Sequence, residues 1–596
     1  MKRLAILIAT AVVLFAGVLM LAPQFIPADT ARAKIAEQIE QWIGRPVSFS
    51  GEPTITFFPR PRVRLENVII EDRDGSGAIF IQVDELIGTF RLLPLLVGRV
   101  QASSFELRRP IIALRIDEDG QSNWAFEGTI GERVAEAQEE GGVDEDVTEV
   151  ALGSFRLIDG TITFKEPGAE LATLSEVALD FTWTSTAVPA FASGSLVWRG
   201  ERVSISATLT EPMELIAGRS SPGQFAVAGE PISIVFDGSV GRNDLDLVFD
   251  GATRVEMDSL RHVIDWAGAP IAEGTTLADA SIDGHARWEW PVLEFSDAEM
   301  TLDGNQGVGA FAVDFSGERV DIDGTLAVRS LDLTGYADAF LSELQLSADW
   351  QQVPIILPLF DFVDMDIRIS ADRVNVGATH IEVVAASAIV SHGDILLRIG
   401  DARFYGGSLR ASLTAHYDAP LFHTDIQIAV DAAEARPALV DLVGTAPVTG
   451  AFGGNLSLSG EGTTWGDLIR DLSGEFDASF TSGTIVGVDI SRAAALSTPT
   501  IEAFEFGVGE MSFDSINAMF FMDGGRVIAE SVAVNGPDFA VVFAGDGGLL
   551  EPTVRGEGEI VFDDGSEEAR VFSFSVTGSW LSPQFEDQLG NTETPR

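Results

Sequence analysis

The chain has 596 residues, with 91 Asp and Glu against 38 Lys and Arg, a net charge of -53 and no cysteine. That charge excludes a nucleic-acid binder, which needs a basic footprint, and the absence of cysteine excludes a disulfide framework, a thiolate nucleophile and a thiolate metal site. Lysine occurs only at Lys2, Lys34 and Lys165, never in the glycine-rich setting of a phosphate-binding loop, and the acidity itself reads as a solubility device.

In chain order, Lys2 and Arg3 precede an uncharged apolar run from Leu4 to Ala22. A run of about 20 apolar residues crosses a bilayer as one helix. A cleaved signal peptide is the alternative, but the Ala-x-Ala triplet at Ala31–Ala33 lies far beyond the apolar run. The expectation is an uncleaved anchor over 1–26, with the bulk of the chain exported. Ile35, Ile39 and Trp42 then share one helical face ending at Gly44, a short amphipathic helix that either packs on the first strands or lies at the membrane surface. In "FFPRPRVRLENVII", Arg60, Arg62 and Arg64 stand on alternate residues of a strand close to the anchor. Two readings stand side by side: a basic base that meets anionic phospholipid heads, and a solvent-facing strand whose arginines pair with local acids.

From Val47 onward, period-2 alternation dominates. "SIDGHARWEW" puts Ile282, Gly284, Ala286, Trp288 and Trp290 on one face and Ser281, Asp283, His285, Arg287 and Glu289 on the other. The same pattern recurs at Val203, Ile205, Ala207 and Leu209, at Ile426, Ile428 and Val430, and at Phe572, Phe574 and Val576. These are strands with one apolar and one polar face. Asp-Gly pairs at 159–160, 237–238, 303–304, 323–324 and 523–524 read as turns of an antiparallel meander. Helices are few: Leu92–Val97, Pro437–Val443 and Trp465–Leu472 are candidates, and Gly131–Val150 is an acidic linker or loop.

Chemistry is scarce. His262, His285, His380, His392, His416 and His423 show no His-x-x-x-His spacing, and there is no nucleophile elbow or dinucleotide loop. "EDRDG" at Glu71–Gly75 and "DEDG" at Asp117–Gly120 only loosely resemble calcium loops and read as β-turns. The expectation is no enzyme, no metal and no cofactor.

The order of parts then becomes informative. "TITFFPRPRVRLENVII", "LLPLLVGRVQASSFELRRPIIALRIDEDGQSNWAF", "LRHVIDWAGAPIAEGTTL" and "GDILLRIGDARFYGGSLRASL" together resemble the AsmA family of bacterial envelope proteins, over nearly the whole chain. The resemblance implies a mainly β fold: a single N-terminal transmembrane helix, then an elongated, twisted antiparallel β-sheet forming an open apolar groove with a few short helices. The family is similar in architecture to bridge-like lipid-transfer proteins. The expected divisions are the anchor at 1–26, an N-terminal region at 27–130, the acidic linker at 131–150, a middle β-groove at 151–350 and a C-terminal β-region at 351–596. The implied function is support of outer-membrane biogenesis from the bacterial inner membrane, with the chain mostly in the periplasm and phospholipid riding in the groove. The implied partners are phospholipid, the inner membrane and an outer-membrane assembly or lipid-acceptor protein. The alternative is a non-transport scaffold that assists outer-membrane protein insertion by strand pairing. Candidate groove residues are Ile282, Trp288, Trp290, Ile426, Ile428, Phe572 and Phe574.

Overall fold

The structure, a computed structural model, describes residues 45–587 except 57–59, 73–76, 92–101, 118–121, 124–152, 166, 168–170, 244–245, 270–275, 340–349, 356–362, 497–499, 563–569 and 580–581. The expected anchor, the helix with Ile35, Ile39 and Trp42, the Leu92–Val97 helix and the acidic linker lie outside the described residues. Among the described residues, no helix is long and apolar enough to cross a membrane.

The chain divides into two compact units, Met1–Trp266 with Ser281–Trp290, and Ala267–Ala280 with Pro291–Arg596. Unit 1 holds β1 (Val47–Thr56), β2 (Arg62–Glu71), β3 (Ile79–Phe90), β4 (Ala102–Arg115), β5 (Gly153–Lys165), β6 (Ala172–Trp183), β7 (Ala190–Trp198), β8 (Glu201–Leu209), β9 (Ser221–Gly229), β10 (Ser233–Asn243), β11 (Asp246–Met257) and β12 (Ala280–Glu289), with helix α1 (Pro212–Ile216) and helix α2 (Leu260–Ala267) between strands. Unit 2 holds β13 (Val292–Leu302), β14 (Asn305–Asp314), β15 (Val320–Asp332), β16 (Val363–Val376), β17 (Thr379–Ser391), β18 (Asp394–Phe404), β19 (Gly407–Asp418), β20 (Leu421–Glu434), helix α3 (Ala435–Val443), β21 (Ala451–Gly462), helix α4 (Trp465–Asp471), β22 (Ser473–Asp489), helix α5 (Ser491–Ala494), β23 (Glu505–Asp523), β24 (Arg526–Asn535), β25 (Phe539–Gly548), β26 (Val554–Phe562), β27 (Arg570–Ser579) and β28 (Ser582–Asp587).

Within each unit, strands β1–β11 and β13–β28 pair with their neighbours in sequence, and among the described residues this pairing is antiparallel with two exceptions. β4 pairs with β5 in parallel, and so does β15 with β16. This corrects the expectation of an antiparallel meander. Period-2 alternation is the same in both kinds of pair, whereas a parallel pair needs a crossover of about a dozen residues or more. The two exceptions follow the longest connections, residues 116–152 and 333–362. The Asp-Gly pairs also divide. Asp303-Gly304 and Asp523-Gly524 sit in the hairpins β13–β14 and β23–β24. Asp159-Gly160, Asp237-Gly238 and Asp323-Gly324 lie inside β5, β10 and β15. At Gly238 the reason is close approach of two backbones: a Cβ there would stand 2.4 Å from the Asp250 carbonyl oxygen and 2.6 Å from the Gly251 Cα.

Register carries the sequence alternation across each unit. In unit 1, Leu65, Leu86, Leu107, Leu157 and Leu179 are successive Cα partners from β2 to β6, and the row continues through Gly194, Ile205, Val227, Ile234 and Val255. A second row on the same face passes through Phe105, Phe155, Phe181 and, further on, Phe225 and Phe236. In unit 2, Leu326, Ile369, Ala386, Ile399, Ala411, Ile428, Leu456, Phe476 and Phe520 form one row from β15 to β23. Beside it run Ile367, Ala388, Leu397, Leu413, Ile426 and Leu458. No polar side chain interrupts these rows over the stretches named.

Candidate functional site: an apolar sheet face

The site is a face, built from alternation and register, and what decides its use is how much of it the chain covers itself. In unit 2, cover is confined to the margins. One buried cluster joins Val328, Ala371, Val384, Leu409 and Ala433 to Ala438 of α3. Tyr405 ties that helix down by donating its hydroxyl to Asp441 Oδ2 at 2.6 Å. Burial, then this bond, pushes the Tyr405 phenol up to about 12. A second cluster joins Ile355, Val390, Ile395, Ala415 and Phe422 to Leu468 of α4. Helix α4 starts where Thr464 Oγ1 accepts the Asp467 N–H at 3.1 Å. The Asp467 carboxylate in turn takes bonds from Arg470 at 2.6 Å and Thr463 at 3.0 Å, and is held below its ordinary value chiefly by Arg470. Removing that cap with Thr464→Ala is expected to cost about 1 kcal/mol, read as an earlier denaturant midpoint for unit 2.

Between these margins lies a floor that neither cluster contains. Ile367, Ile369, Leu397, Ala411, Ile426, Leu456 and Leu458 lie half-buried or exposed, with Leu397 44% exposed. The floor ends in an aromatic seal toward the C-terminus. There Ala493 of α5, Ala503 and Phe504 pack with Phe562, Phe572, Phe574 and Val576. Arg570 holds this cover by donating to the carbonyls of Ala494 and Leu496, and Asp587 accepts the Ile501 N–H at 2.7 Å.

The seven groove candidates therefore fall in different places. Ile426 is a half-buried floor residue of β20, and Ile428, also half-buried, packs against the margin cluster of α3. Phe572 and Phe574 lie in the aromatic seal, 5% and 8% exposed, covered by the chain's own side chains. Ile282 is half-buried. Trp288 stacks on Phe249 at 5.5 Å, and Phe249 meets Phe225 and Phe236 edge-on. This places Trp288 on the apolar face of unit 1. Trp290 follows β12 and is 59% exposed. The opposite face of β12 carries charge as the alternation predicts: His285 and Arg287 both reach Asp250, and Asp283 accepts from Arg254.

Arg60, Arg62 and Arg64 are all exposed. Arg64 Nε lies 2.7 Å from Glu85 Oε1 in an ion pair, and Glu85 also meets Arg108, so this arginine pairs with a local acid. Sequence reasoning missed a neighbouring polar node. The carboxylate of Asp72, within "EDRDG", takes Arg45 Nη1 at 3.3 Å, Arg115 Nη2 at 2.7 Å and Asn123 Nδ2 at 2.9 Å. Arg45 also lies 4.0 Å over the Phe80 ring, and both Arg45 and Asp72 are buried. The signal available in sequence was the pair Arg115 and Asn123 within "LRIDEDGQSNWAF". Among the described residues, no group of acids and histidines is placed to hold a metal ion.

The AsmA family model matches residues 1–187 and 331–531, about two thirds of the chain. The chain belongs to the AsmA family. No curated protein and no solved structure matches it. Membership places it among envelope-associated proteins. The two stretches matched by the AsmA model cover the Asp72 node and most of the open floor of unit 2. The apolar rows of unit 1 continue beyond the first stretch, through Ile205, Phe225 and Val255.

Proposed function

We propose that this AsmA protein carries phospholipid within the bacterial envelope, with acyl tails laid on the apolar faces of its sheets and head groups at their polar margins. The inner membrane would be its anchoring side and the periplasm its working compartment. The observation that carries the reading is the open floor of unit 2: two adjacent apolar rows, continuous in register over β16–β21, which the chain's own clusters flank without covering. Each methylene kept from water contributes roughly 0.8 kcal/mol, so a floor of this kind is better occupied than wet. No headgroup pocket is required, and selectivity among phospholipids is expected to be low. Arg60 and Arg62, which make no ion pair among the described residues, are the cations proposed to meet anionic head groups; Arg64 is already engaged. The scaffold alternative has weaker support, because β28 is only six residues long and contains Pro583, both of which blunt an edge for strand addition.

The test uses alternation as its own control. A photocrosslinking residue at Ile426 or Ile428 is expected to label phospholipid in intact cells, and one at Gln427, on the opposite face between them, is not. Equal labelling at all three, or protein adducts and no lipid at 426 and 428, defeats the proposal.

A further inference from the structure

The polar face of unit 2 carries a second feature, independent of the lipid reading. Two adjoining concavities, about 600 Å³ and about 510 Å³, share Arg398 and Gly400 as lining residues. They open on the polar side, since the side chains that line them alternate with the apolar floor: Arg368, Ser387, Arg398, Ser412, Gln427 and Ser457 are successive Cα partners from β16 to β21. Arg410 lies one strand over, two residues from Ser412. In a chain of net charge -53, neither lining contains an aspartate or glutamate. Arg398 and Arg410 are exposed and make no ion pair among the described residues. Arg368 is 70% exposed and meets Asp366 at 3.3 Å.

We propose that this strip binds an extended, phosphorylated saccharide. Guanidinium groups recognise phosphate oxygens through forked, charge-assisted bonds, and strands spaced about 4.8 Å apart put Arg368 and Arg398 roughly 10 Å from each other. That spacing suits several oxyanions on one chain better than a single ion. Ser387, Ser412, Gln427 and Ser457 supply donors and acceptors for hydroxyl groups between the charges, while Asn455 Nδ2 is already engaged by Asp477. A flat bilayer cannot follow a concave strip of this width, whereas a flexible glycan can. Asp366, Asp401 and Asp425 on the same strands, with Glu475 and Asp477 opposite Ser457 and Asn455 on β22, bound the strip and set its limits for an anionic ligand.

The experiment titrates the full-length protein in detergent with phosphorylated dextran oligosaccharide by calorimetry, with unmodified dextran alongside. The phosphorylated form is expected to bind, with an affinity that falls steeply as salt rises, and unmodified dextran is not. R398Q and R410Q are each expected to weaken binding about tenfold, as loss of one charge-assisted pair implies. R91Q, an equal loss of charge at an exposed arginine of unit 1, leaves it unchanged. These arginines are exposed and free of ion pairs, so the variants fold. Equal binding of unmodified dextran, unchanged binding by R398Q and R410Q, or an equal effect of R91Q overturns the proposal. So does binding to phosphatidylglycerol vesicles that needs Arg398 when phosphorylated dextran does not bind.

Discussion

Asp72→Ala is expected to destabilise unit 1 by about 3–5 kcal/mol, the cost of leaving a buried charge without its partner. Asp72 is the common acceptor for Arg45, Arg115 and Asn123, which come to it from 27, 43 and 51 residues away. The Arg45 side chain is 1% exposed, so water cannot replace the lost carboxylate. The node also fastens the start of β1 to the ends of β2 and β4. Denaturant unfolding of the full-length protein should show the lower midpoint, and hydrogen exchange should place the loss in β1–β4. The double variant Arg45→Met with Asp72→Leu should recover much of the stability, because an apolar pair of similar volume avoids desolvating two ions. A single Asp72→Ala variant within about 1 kcal/mol of the parent, the range of an exposed pair, would show that the node does not hold the unit together.

Leu397→Glu is expected to reduce the phospholipid retained by the purified protein at least about tenfold, since a carboxylate set among acyl chains costs several kcal/mol and about 1.4 kcal/mol is already a factor of ten. Leu397 is chosen because it is 44% exposed and belongs to neither flanking cluster, so the fold tolerates the charge. Leu397→Met should keep the lipid. Arg398→Gln, on the next residue and the other face, should keep the lipid as well while binding the saccharide more weakly, which separates the two proposals in one pair of variants. Phosphorus analysis of extracted lipid, normalised to folded protein, gives the readout; undiminished lipid in Leu397→Glu would remove the floor as the carrying surface.

Much of this architecture could be read from residues alone because strand alternation assigns a side chain to a face. In β12 it assigned both faces as they stand, with Trp288 against Phe249 and His285 against Asp250. What alternation cannot report is cover. Phe574 and Ile428 look alike in sequence, yet Phe574 lies in a buried cluster with Ala493, Ala503 and Phe504, some seventy positions earlier, and Ile428 borders an open floor. Direction of pairing was equally hidden, since β15 and β16 would alternate in the same way in either sense. Asp237-Gly238 misled for a different reason: glycine serves chain reversal and close backbone contact alike, and only the presence of Gly251 opposite tells them apart. The Asp72 node was beyond local reading because each of its partners belongs to a different strand or turn.

The unbroken rows constrain how such a chain can vary in length. One residue inserted within a strand would turn every later side chain of that strand onto the wrong face, unless a bulge absorbs it, as between Ile399 and Ala402 or between Ala529 and Val532. A whole hairpin added between strands would change nothing about either surface. Growth and loss in this molecule are thus quantised: odd changes are tolerated only at the kinks, and paired ones almost anywhere.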